Sequence, residues 1–239
     1  MLRMVVTIKI VITMAGEGIR FKKAGYTIPK HMIKVRDKTM FEWAMLTLKD
    51  FYGEEFIFVT LKKNNDLSFI NEKCGLLGIK KREIILIKNV TSGQAETVLK
   101  AEKEINPDEP ILIYNVDTYV EPYELRKTDI KGDGFVPCFK AHGIHWSFVK
   151  FDSNKRIFNI TEKIRISEYA SIGLYYFCSF SLFKKCFGEY YSQESKEKYI
   201  APIYNILIKN NKQVYTSILD SKKVHVLGTP EEVKLFEER

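Results

Sequence analysis

The chain has 239 residues, 45% of them hydrophobic with 16 Phe and 13 Tyr, which is ample material for a packed core. Its net charge of +8 comes from Lys and Arg residues interleaved with acids, and no recognition motif appears. A lysine-rich surface is therefore favoured, small phosphorylated ligands come next, and nucleic acid is disfavoured. No apolar run is long enough to span a membrane. The four cysteines are scattered and form no C-x-x-C pair, which argues against a disulfide framework or a zinc site and suits a reducing cytoplasm.

The first half of the chain alternates strand and helix patterns. The N-terminal run MLRMVVTIKIVIT is apolar and β-branched and leads into a Gly turn, so it indicates a strand and not a signal peptide. Thr39 and Glu42 form a capping-box pattern, which predicts the start of a helix. The predicted strands cover 8–13, 55–61, about 84–88 and 110–117, and the predicted helices cover about 39–51, 65–78 and 93–105.

This alternation predicts an α/β fold with a mixed, mainly parallel, Rossmann-like central sheet flanked by helices. Right-handed crossovers place the loops after its strands on one edge, where α/β sheets bind ligands.

The second half, after Asp117, has a different pattern. Short strand-like runs, GFVPCFKA, WSFVKFD, RIFNITEK and ASIGLYYFC, are separated by turn residues and charges, which predicts a mixed sheet. Two helices are predicted over about 180–191 and 201–210, followed by the strands QVYTSIL and KVHVLGT. A last helix is predicted in PEEVKLFEE, with Thr229 as its cap. We therefore expect a single domain, 1–239, with a nucleotide-binding half at 1–120 and an acceptor-binding half at 121–239.

A glycine-rich loop follows the first strand. Gly16 and Gly18 can expose backbone N–H groups to phosphate oxygens, although a plain tight turn explains the pair equally well. The loop is neither a Walker motif nor a dinucleotide fingerprint, because Phe21 stands where the third glycine would be. Arg20 follows the second glycine, and Lys30 follows a proline that stiffens the loop. Backbone donors with two cations favour a triphosphate.

The loop also carries a family resemblance. AGEGIRF followed by YTIPKHMIKV resembles the opening signature of the sugar-phosphate nucleotidyltransferases, also called nucleoside-diphosphate-sugar pyrophosphorylases. Four further segments resemble the family in the same order: TSGQAETVLKA, YNVDTYV, ITEKIRISEYASIGLYYF and LGTPEEV. The resemblance spans roughly residues 8–235 and implies the nucleotide-diphospho-sugar transferase fold. It also implies transfer of a nucleotidyl group from a nucleoside triphosphate to a phosphorylated small molecule, with release of pyrophosphate.

The resemblance assigns roles on the nucleotide side. Arg20, Lys30 and Asp117 are the implied catalytic residues, and Asp117 is the implied ligand of Mg²⁺, the expected cofactor. From the residues alone, Lys30 could instead be a surface lysine, and Asp117 a cap for the next turn. Gln94 could read the base or cap a helix. The implied nucleotide-binding residues are Ala15, Gly16, Gly18, Thr91, Gly93, Gln94 and Asn115.

The resemblance assigns acceptor binding to Glu162, Lys163 and Gly173. An exposed ion pair is the simpler explanation of the first two residues. The resemblance implies that a side chain at Gly173 would crowd the ligand. His142 and His145 have a metal-like spacing, but they have no acidic or cysteine partner nearby in the sequence, so a metal role is disfavoured.

Three positions depart from the family pattern. Val226 stands where a second metal-binding aspartate is usual in the family. The metal could then be bound by Asp117 with phosphates and water, or with the help of another acid such as Asp220. Alternatively, the protein could be a weak or non-catalytic relative. Ile19 replaces a small residue before the arginine, and His31 stands where proline is frequent. An ordinary loop histidine is favoured at position 31.

Three classes of function remain open at this stage. The favoured class is a cytoplasmic, Mg²⁺-dependent nucleotidyltransferase for capsule or cell-surface polysaccharide precursors, using CTP, UTP or dTTP and a sugar 1-phosphate. A non-sugar acceptor such as phosphoglutamine, used by a CTP:phosphoglutamine cytidylyltransferase, is a variant of it. The other classes are a glycosyltransferase, disfavoured because Asp117-Thr-Tyr119 offers only one carboxylate, and a non-catalytic nucleotide-binding protein. No nucleic-acid or membrane partner is expected, and a homo-oligomer is compatible with the sequence.

Overall fold

A computed structural model describes residues 7–191 and 197–238 of the chain, so the first six residues of the N-terminal run lie outside the described residues. The helices in these ranges are α1 (Ile19–Lys23), α2 (Met40–Thr47), α3 (Leu67–Leu77), α4 (Gln94–Leu99), α5 (Phe180–Tyr190), α6 (Tyr204–Lys209) and α7 (Pro230–Glu237). The strands of the first half are β1 (Lys9–Met14), β2 (Lys34–Val35), β3 (Lys38–Thr39), β4 (Glu55–Leu61), β5 (Arg82–Ile87), β6 (Ile111–Tyr114) and β7 (Thr118–Val120). Those of the second half are β8 (Gly134–Phe135), β9 (Cys138–Lys140), β10 (Ser147–Phe151), β11 (Ile157–Glu162), β12 (Tyr169–Ser171), β13 (Tyr175–Phe177), β14 (Val214–Tyr215), β15 (Ile218–Leu219) and β16 (Val224–Val226).

The central sheet has seven strands in the order β14-β8-β13-β6-β1-β4-β5. β1 is parallel to both β4 and β6, and β4 is parallel to β5. β13 runs antiparallel to its neighbours β6 and β8. The predicted α/β fold with a mixed, mainly parallel sheet is therefore confirmed, and three strands of the second half extend the sheet that the first half begins.

The second half adds a five-stranded sheet in the order β11-β10-β12-β9-β15. The segment predicted as one strand, QVYTSIL, is divided between the two sheets, because β14 pairs with β8 and β15 pairs with β9. β16 pairs antiparallel with β7, so Val226 lies opposite Thr118. This pairing brings the end of the chain beside the loop that carries Asp117.

Several predicted elements are shorter than expected. Helix α2 ends at Thr47 and a 3₁₀ turn follows at Lys49–Phe51, while α4 ends at Leu99. Strand β6 ends at Tyr114 and not at Asp117, since its last partner on β1 is Ile12. Asp117 consequently lies in the loop beyond β6, outside the pairing of β6 with β1.

Apolar side chains cover both faces of the central sheet. Alternate residues of β1 point to opposite faces, so Ile10 and Ile12 enter one cluster and Val11 enters the other. All three side chains are fully buried. A strand buried on both faces is a rigid support, and the loop that follows β1 starts from this support.

The predicted capping box at Thr39 and Glu42 is confirmed. The Thr39 hydroxyl accepts from the Glu42 backbone N–H at 3.3 Å, and the Glu42 carboxylate accepts from the Thr39 N–H at 2.9 Å. These bonds satisfy two donors that the start of α2 would otherwise leave free.

We expect Thr39→Ala to lower the free energy of unfolding by about 1 kcal/mol, because the cap is lost. Urea unfolding measures the change. The exposed Thr128→Ala is the matched control and should stay within about 0.5 kcal/mol of the wild type. Equal effects of the two substitutions would contradict a stabilising role for the capping box.

Candidate active site

One cleft collects most of the residues expected from the sequence. It lies beyond the carboxyl ends of β1 and β6 and extends to the second sheet. The side expected to bind the nucleotide, called the nucleotide side below, includes Gly16, Gly18, Arg20 and Lys30. The other side of the cleft includes Gln94, Glu162, Lys163 and Gly173. The two sides share five lining residues: Arg20, Asn115, Asp117, Glu197 and Gly228.

An ion pair between Lys30 and Asp117 lies where the two sides meet. The Lys30 Nζ is 2.6 Å from Asp117 Oδ2, and both side chains are partly buried. The same ammonium group lies 5.5 Å from the centre of the Phe21 ring. Lys30 is therefore not the solvated surface lysine that the sequence also allowed, and Asp117 faces the cleft.

The backbone of the glycine loop brings the loop close to Lys30. Gly18 has φ +63°, a left-handed conformation that glycine adopts most readily, and it precedes the first residue of α1. A β-carbon at Gly18 would lie 3.5 Å from Lys30 Cβ, whereas Gly16 has open space around it. Arg20 and Ile19 are exposed on this side of the cleft.

His31 is a buried residue with an acidic partner, contrary to the expectation of an ordinary loop histidine. Its Nε2 is 2.7 Å from Asp66 Oδ2, and the carboxylate also accepts from the Thr60 hydroxyl at 2.7 Å. Burial acts to raise the pKa of Asp66, but the hydrogen bonds from His31 and Thr60 outweigh it and leave this pKa below its ordinary value. The pair fixes the short 3₁₀ turn Lys30–Met32 against the end of β4.

In the segment around Gln94, some residues line the cleft and others make contacts inside the protein. Gln94 lines the cleft and donates from Nε2 to Thr13 Oγ1 at 3.0 Å, so its side chain does not cap α4. Thr91 instead bonds the Thr97 hydroxyl at 2.6 Å and is not among the residues that line the cleft. Gly93 packs against Lys198, whose backbone oxygen would be 2.5 Å from an added β-carbon. Ala15 is buried behind the loop.

Asn115 and Gly173 meet between the two sides of the cleft. Gly173 has φ +82°, and a β-carbon there would lie 2.2 Å from Asn115 Nδ2. The Asn115 Oδ1 is buried and has no hydrogen-bond partner among the described residues. An unpaired buried oxygen is costly, so it marks a place where a ligand, ion or water can bind.

Glu162 and Lys163 are not a simple exposed ion pair. Glu162 accepts a hydrogen bond from Ser147, which in turn accepts one from the Tyr175 hydroxyl at 3.1 Å. Burial raises the pKa of Glu162. Lys163 has φ +58°, and its ammonium group instead donates to the Tyr199 hydroxyl. The two side chains therefore have different partners on the side of the cleft that is expected to bind the acceptor.

Several residues that line the cleft are not predicted by any sequence pattern. Trp146, Ser147, Tyr175, Glu197 and Tyr199 contribute polar or aromatic groups from the second half. Tyr175 is placed by the pairing of β13 with the distant β6, while Glu197 and Tyr199 lie in the connection between α5 and α6. No local sequence pattern identifies these residues as part of the cleft.

The C-terminal residues of the cleft include one acid close to Val226. Val226 lines the cleft together with Gly228 and Glu232. Asp220, considered as a substitute acid, lies outside the lining and accepts a hydrogen bond from the Lys222 backbone N–H at 2.9 Å. The acid that faces the cleft here is Glu232. Its position was visible in the sequence as the fourth residue of Thr229-Pro-Glu-Glu232.

The described ranges contain no group of three or more His, Cys, Asp or Glu side chains arranged to hold a metal ion. Those ranges also contain no helix that is both long enough and apolar enough to cross a membrane.

Comparison with known proteins finds relatives over nearly the entire chain. Residues 9–229 match the family model described as Nucleotidyl transferase. A nucleoside-diphosphate-sugar pyrophosphorylase from Vibrio cholerae RC9 is 31% identical, with a TM-score of 0.89 over 96% of this chain and 100% of that chain. No curated protein matches.

Two further structures are similar in fold alone. The inositol-1-phosphate CTP transferase from T. maritima is 15% identical, with a TM-score of 0.78 over 97% of this chain and 94% of that one. The CTP:phosphocholine cytidylyltransferase from Streptococcus pneumoniae is 16% identical, with a TM-score of 0.76 over 98% and 99% of the two chains.

We expect Gly173→Ala to lower the free energy of unfolding by about 1–3 kcal/mol, because alanine is strained at this φ and its methyl group would displace Asn115. Gly188→Ala is the matched control, since Gly188 lies inside α5 with open space around it and alanine favours a helix by about 1 kcal/mol. Urea unfolding should give shifts of opposite sign. A shift of the same sign for both would contradict the close approach at Gly173.

We expect Asp66→Asn to lower the free energy of unfolding at pH 7 by about 1.5–3 kcal/mol, since charged hydrogen bonds to His31 and Thr60 are lost. Because the folded-state pKa is depressed, this contribution is full above the ordinary carboxyl pKa and is lost as the pH falls through the folded value. The difference from the wild type should therefore narrow on acidification from pH 7 to pH 3.

Urea unfolding at several pH values tests this, with the exposed Asp37→Asn as control at an expected change within about 0.5 kcal/mol. A difference that is constant with pH would show that Asp66 is not ionised in the folded protein.

Proposed function

Because the chain belongs to the nucleotidyl transferase family, we propose that this nucleotidyltransferase joins a nucleoside triphosphate to a phosphorylated small molecule and releases pyrophosphate. The observation that carries the proposal is the Lys30–Asp117 pair at the junction of the two sides of one cleft. One side offers a glycine loop with cations, and the other offers the groups around Glu162 and Lys163. This arrangement suits two phosphorylated reactants that meet between them.

The nucleotide side carries the groups proposed to bind the triphosphate. Gly16 and Gly18 offer backbone N–H groups, and the exposed Arg20 reaches toward the β- and γ-phosphates. Lys30 is proposed to stabilise the charge that grows at the α-phosphate. Gln94 lines the other side of the cleft and donates to Thr13, and it is proposed to contact the base through an amide that both donates and accepts.

The acceptor side carries the groups proposed to orient the second substrate. Lys163 provides a cation for its phosphate, and Glu162 with Ser147 provides polar contacts for the rest of the molecule. Gly173 leaves room where a side chain would occupy the cleft. Asn115 lines both sides and can contact either reactant.

In the proposed reaction, a phosphate oxygen of the acceptor attacks the α-phosphorus in line. The bond from that phosphorus to the bridging oxygen breaks, and pyrophosphate leaves with its electron pair. No nucleophilic side chain is required, so positioning and charge stabilisation are the work of the protein. Lys30 and Arg20 place positive charge beside the α-phosphate and the leaving group.

Mg²⁺ is the proposed cofactor, and the residues of the cleft fit it. The Asp117 carboxylate and the unpaired Asn115 Oδ1 are oxygen donors of the kind that Mg²⁺ prefers. Mg²⁺ typically binds one or two carboxylates together with substrate phosphates, so a cluster of three acids is not needed. When bound, it would neutralise phosphate charge at the site of transfer. Lys30 now occupies Asp117 Oδ2 and would be released toward the phosphate.

We further propose that the protein acts in the cytoplasm, in the synthesis of precursors for capsule or cell-surface polysaccharides. Its nucleotide would be CTP, UTP or dTTP, and its acceptor a sugar 1-phosphate or a non-sugar phosphate such as phosphoglutamine. The division into a nucleotide-binding half at 1–120 and an acceptor-binding half at 121–239 of one domain stays a prediction, as does a homo-oligomer. Family membership leaves the glycosyltransferase alternative without support.

We expect pyrophosphate release with Mg²⁺ for one pairing in a panel of CTP, UTP, dTTP, GTP and ATP against sugar 1-phosphates, phosphocholine and phosphoglutamine. Asp117→Asn and Lys30→Met should each lower kcat by about 100-fold or more, because each removes charge at the reacting phosphate. The exposed Asp37→Asn is the control and should leave kcat unchanged.

Coupled detection of pyrophosphate measures the rate. Activity that survives both substitutions in the cleft would contradict the proposed roles, and silence across the panel would exclude these substrates.

A further inference from the structure

We infer that Glu232 supplies the second carboxylate of the divalent-cation site, in place of the acid that is missing at Val226. The inference rests on the proposed function, because the cation is the one that accompanies the nucleoside triphosphate. It adds a residue from α7, outside the residues that the sequence resemblance assigned.

The carboxylates of Glu232 and Asp117 both lie beside Gly228. A β-carbon built on Gly228 would lie 3.2 Å from Glu232 Oε2 and 3.8 Å from Asp117 Oδ2. The sum of these distances is the upper limit on the separation of the two oxygens. Gly228 leaves the space between them open, and the Val226 Cγ1 borders it at 4.0 Å.

The backbone holds this arrangement in place. The Leu227 N–H donates to the Asp117 carbonyl at 2.7 Å, directly after the pairing of Val226 with Thr118. The loop that carries Asp117 and the turn that begins α7 are therefore joined by main-chain bonds. Glu232 is on the first turn of that helix, and its position relative to Asp117 is fixed by the fold.

The conformation of Glu232 departs from what its local sequence predicts. Both α2 and α7 begin with the pattern Thr-x-x-Glu, which predicts a capping box. In α2, Glu42 turns back to the backbone N–H of Thr39. In α7, the Glu232 N–H bonds the Thr229 hydroxyl at 3.2 Å, but in the described part of the chain the carboxylate makes no return bond. It faces the cleft instead.

The charged groups near the Glu232 carboxylate are compatible with a bound cation. Its nearest basic neighbour is His145, whose Nε2 is 3.8 Å from Glu232 Oε1 and whose side chain is 54% exposed. The Asp117 Oδ2 is now paired with Lys30 at 2.6 Å, so a divalent cation at this oxygen would take the place of Lys30. Two carboxylates that face one gap repel each other at close range, so a divalent cation between them is favoured electrostatically.

Mn²⁺ binding, followed by the electron paramagnetic resonance signal of the free ion, tests the inference without turnover. Glu232→Gln should weaken Mn²⁺ binding by about tenfold or more, and Asp117→Asn should do the same. Glu231→Gln is the matched control, since it removes the same charge from the same helical turn at an exposed position and should bind Mn²⁺ as the wild type does.

A rescue variant separates a lost ligand from a damaged fold. Val226→Asp combined with Glu232→Gln should restore Mn²⁺ binding to within a fewfold of the wild type, because Val226 borders the same gap. Wild-type affinity in Glu232→Gln would overturn the inference, and so would an absence of Mn²⁺ binding by the wild-type protein or a failed rescue.

The failure of this inference is distinguishable from the failure of the proposed function. Pyrophosphate release by the wild type, with unchanged Mn²⁺ affinity in Glu232→Gln, would sink the role of Glu232 alone. Mn²⁺ binding that depends on Glu232, in a protein that releases no pyrophosphate with any pair of substrates, would support this inference and count against the function.

Discussion

The ion pair between Lys30 and Asp117 is the interaction on which the cleft depends. It joins the loop after β1 to the loop after β6, two neighbouring parallel strands of the central sheet. Two charges 2.6 Å apart and partly shielded from water attract each other more strongly than exposed pairs do. The pair therefore connects the two loops at the place where the two reactants are proposed to meet. Lys30 is the cation that is proposed to act on the phosphate there.

The surrounding structure supports this pair from both ends. His31 follows Lys30 directly and is fixed by the buried Asp66, so the backbone of Lys30 is held against the core. Asp117 lies beside the turn into α7 through the bond from Leu227 to its carbonyl. A site that relies on preorganised charge needs such support, because movement of either group would weaken its action on a developing charge.

A second joint connects the two sheets. Gly173 precedes β13, the strand that brings the second half of the chain into the central sheet, and it packs against Asn115. This contact holds the two sides of the cleft next to each other. Under the proposed function, Glu162 and Lys163 would contribute to the choice of the acceptor, while Lys30 and Asp117 would act on the reacting phosphate.

The sequence by itself determined the α/β class, the glycine loop, the capping box at Thr39 and Glu42, and the residues Lys30 and Asp117, because each follows from local periodicity, a short motif or a family signature. Only the tertiary structure decided that His31 is buried against Asp66, that Thr91 and Gly93 pack instead of lining the cleft, and that Glu232 lines the same cleft as Asp117. The physical reason is the range of the contacts. A hydrogen bond within one turn is encoded by neighbours in sequence. The carboxylate of Glu232 in α7 instead lies 3.8 Å from the Nε2 of His145, a residue that is distant in the chain.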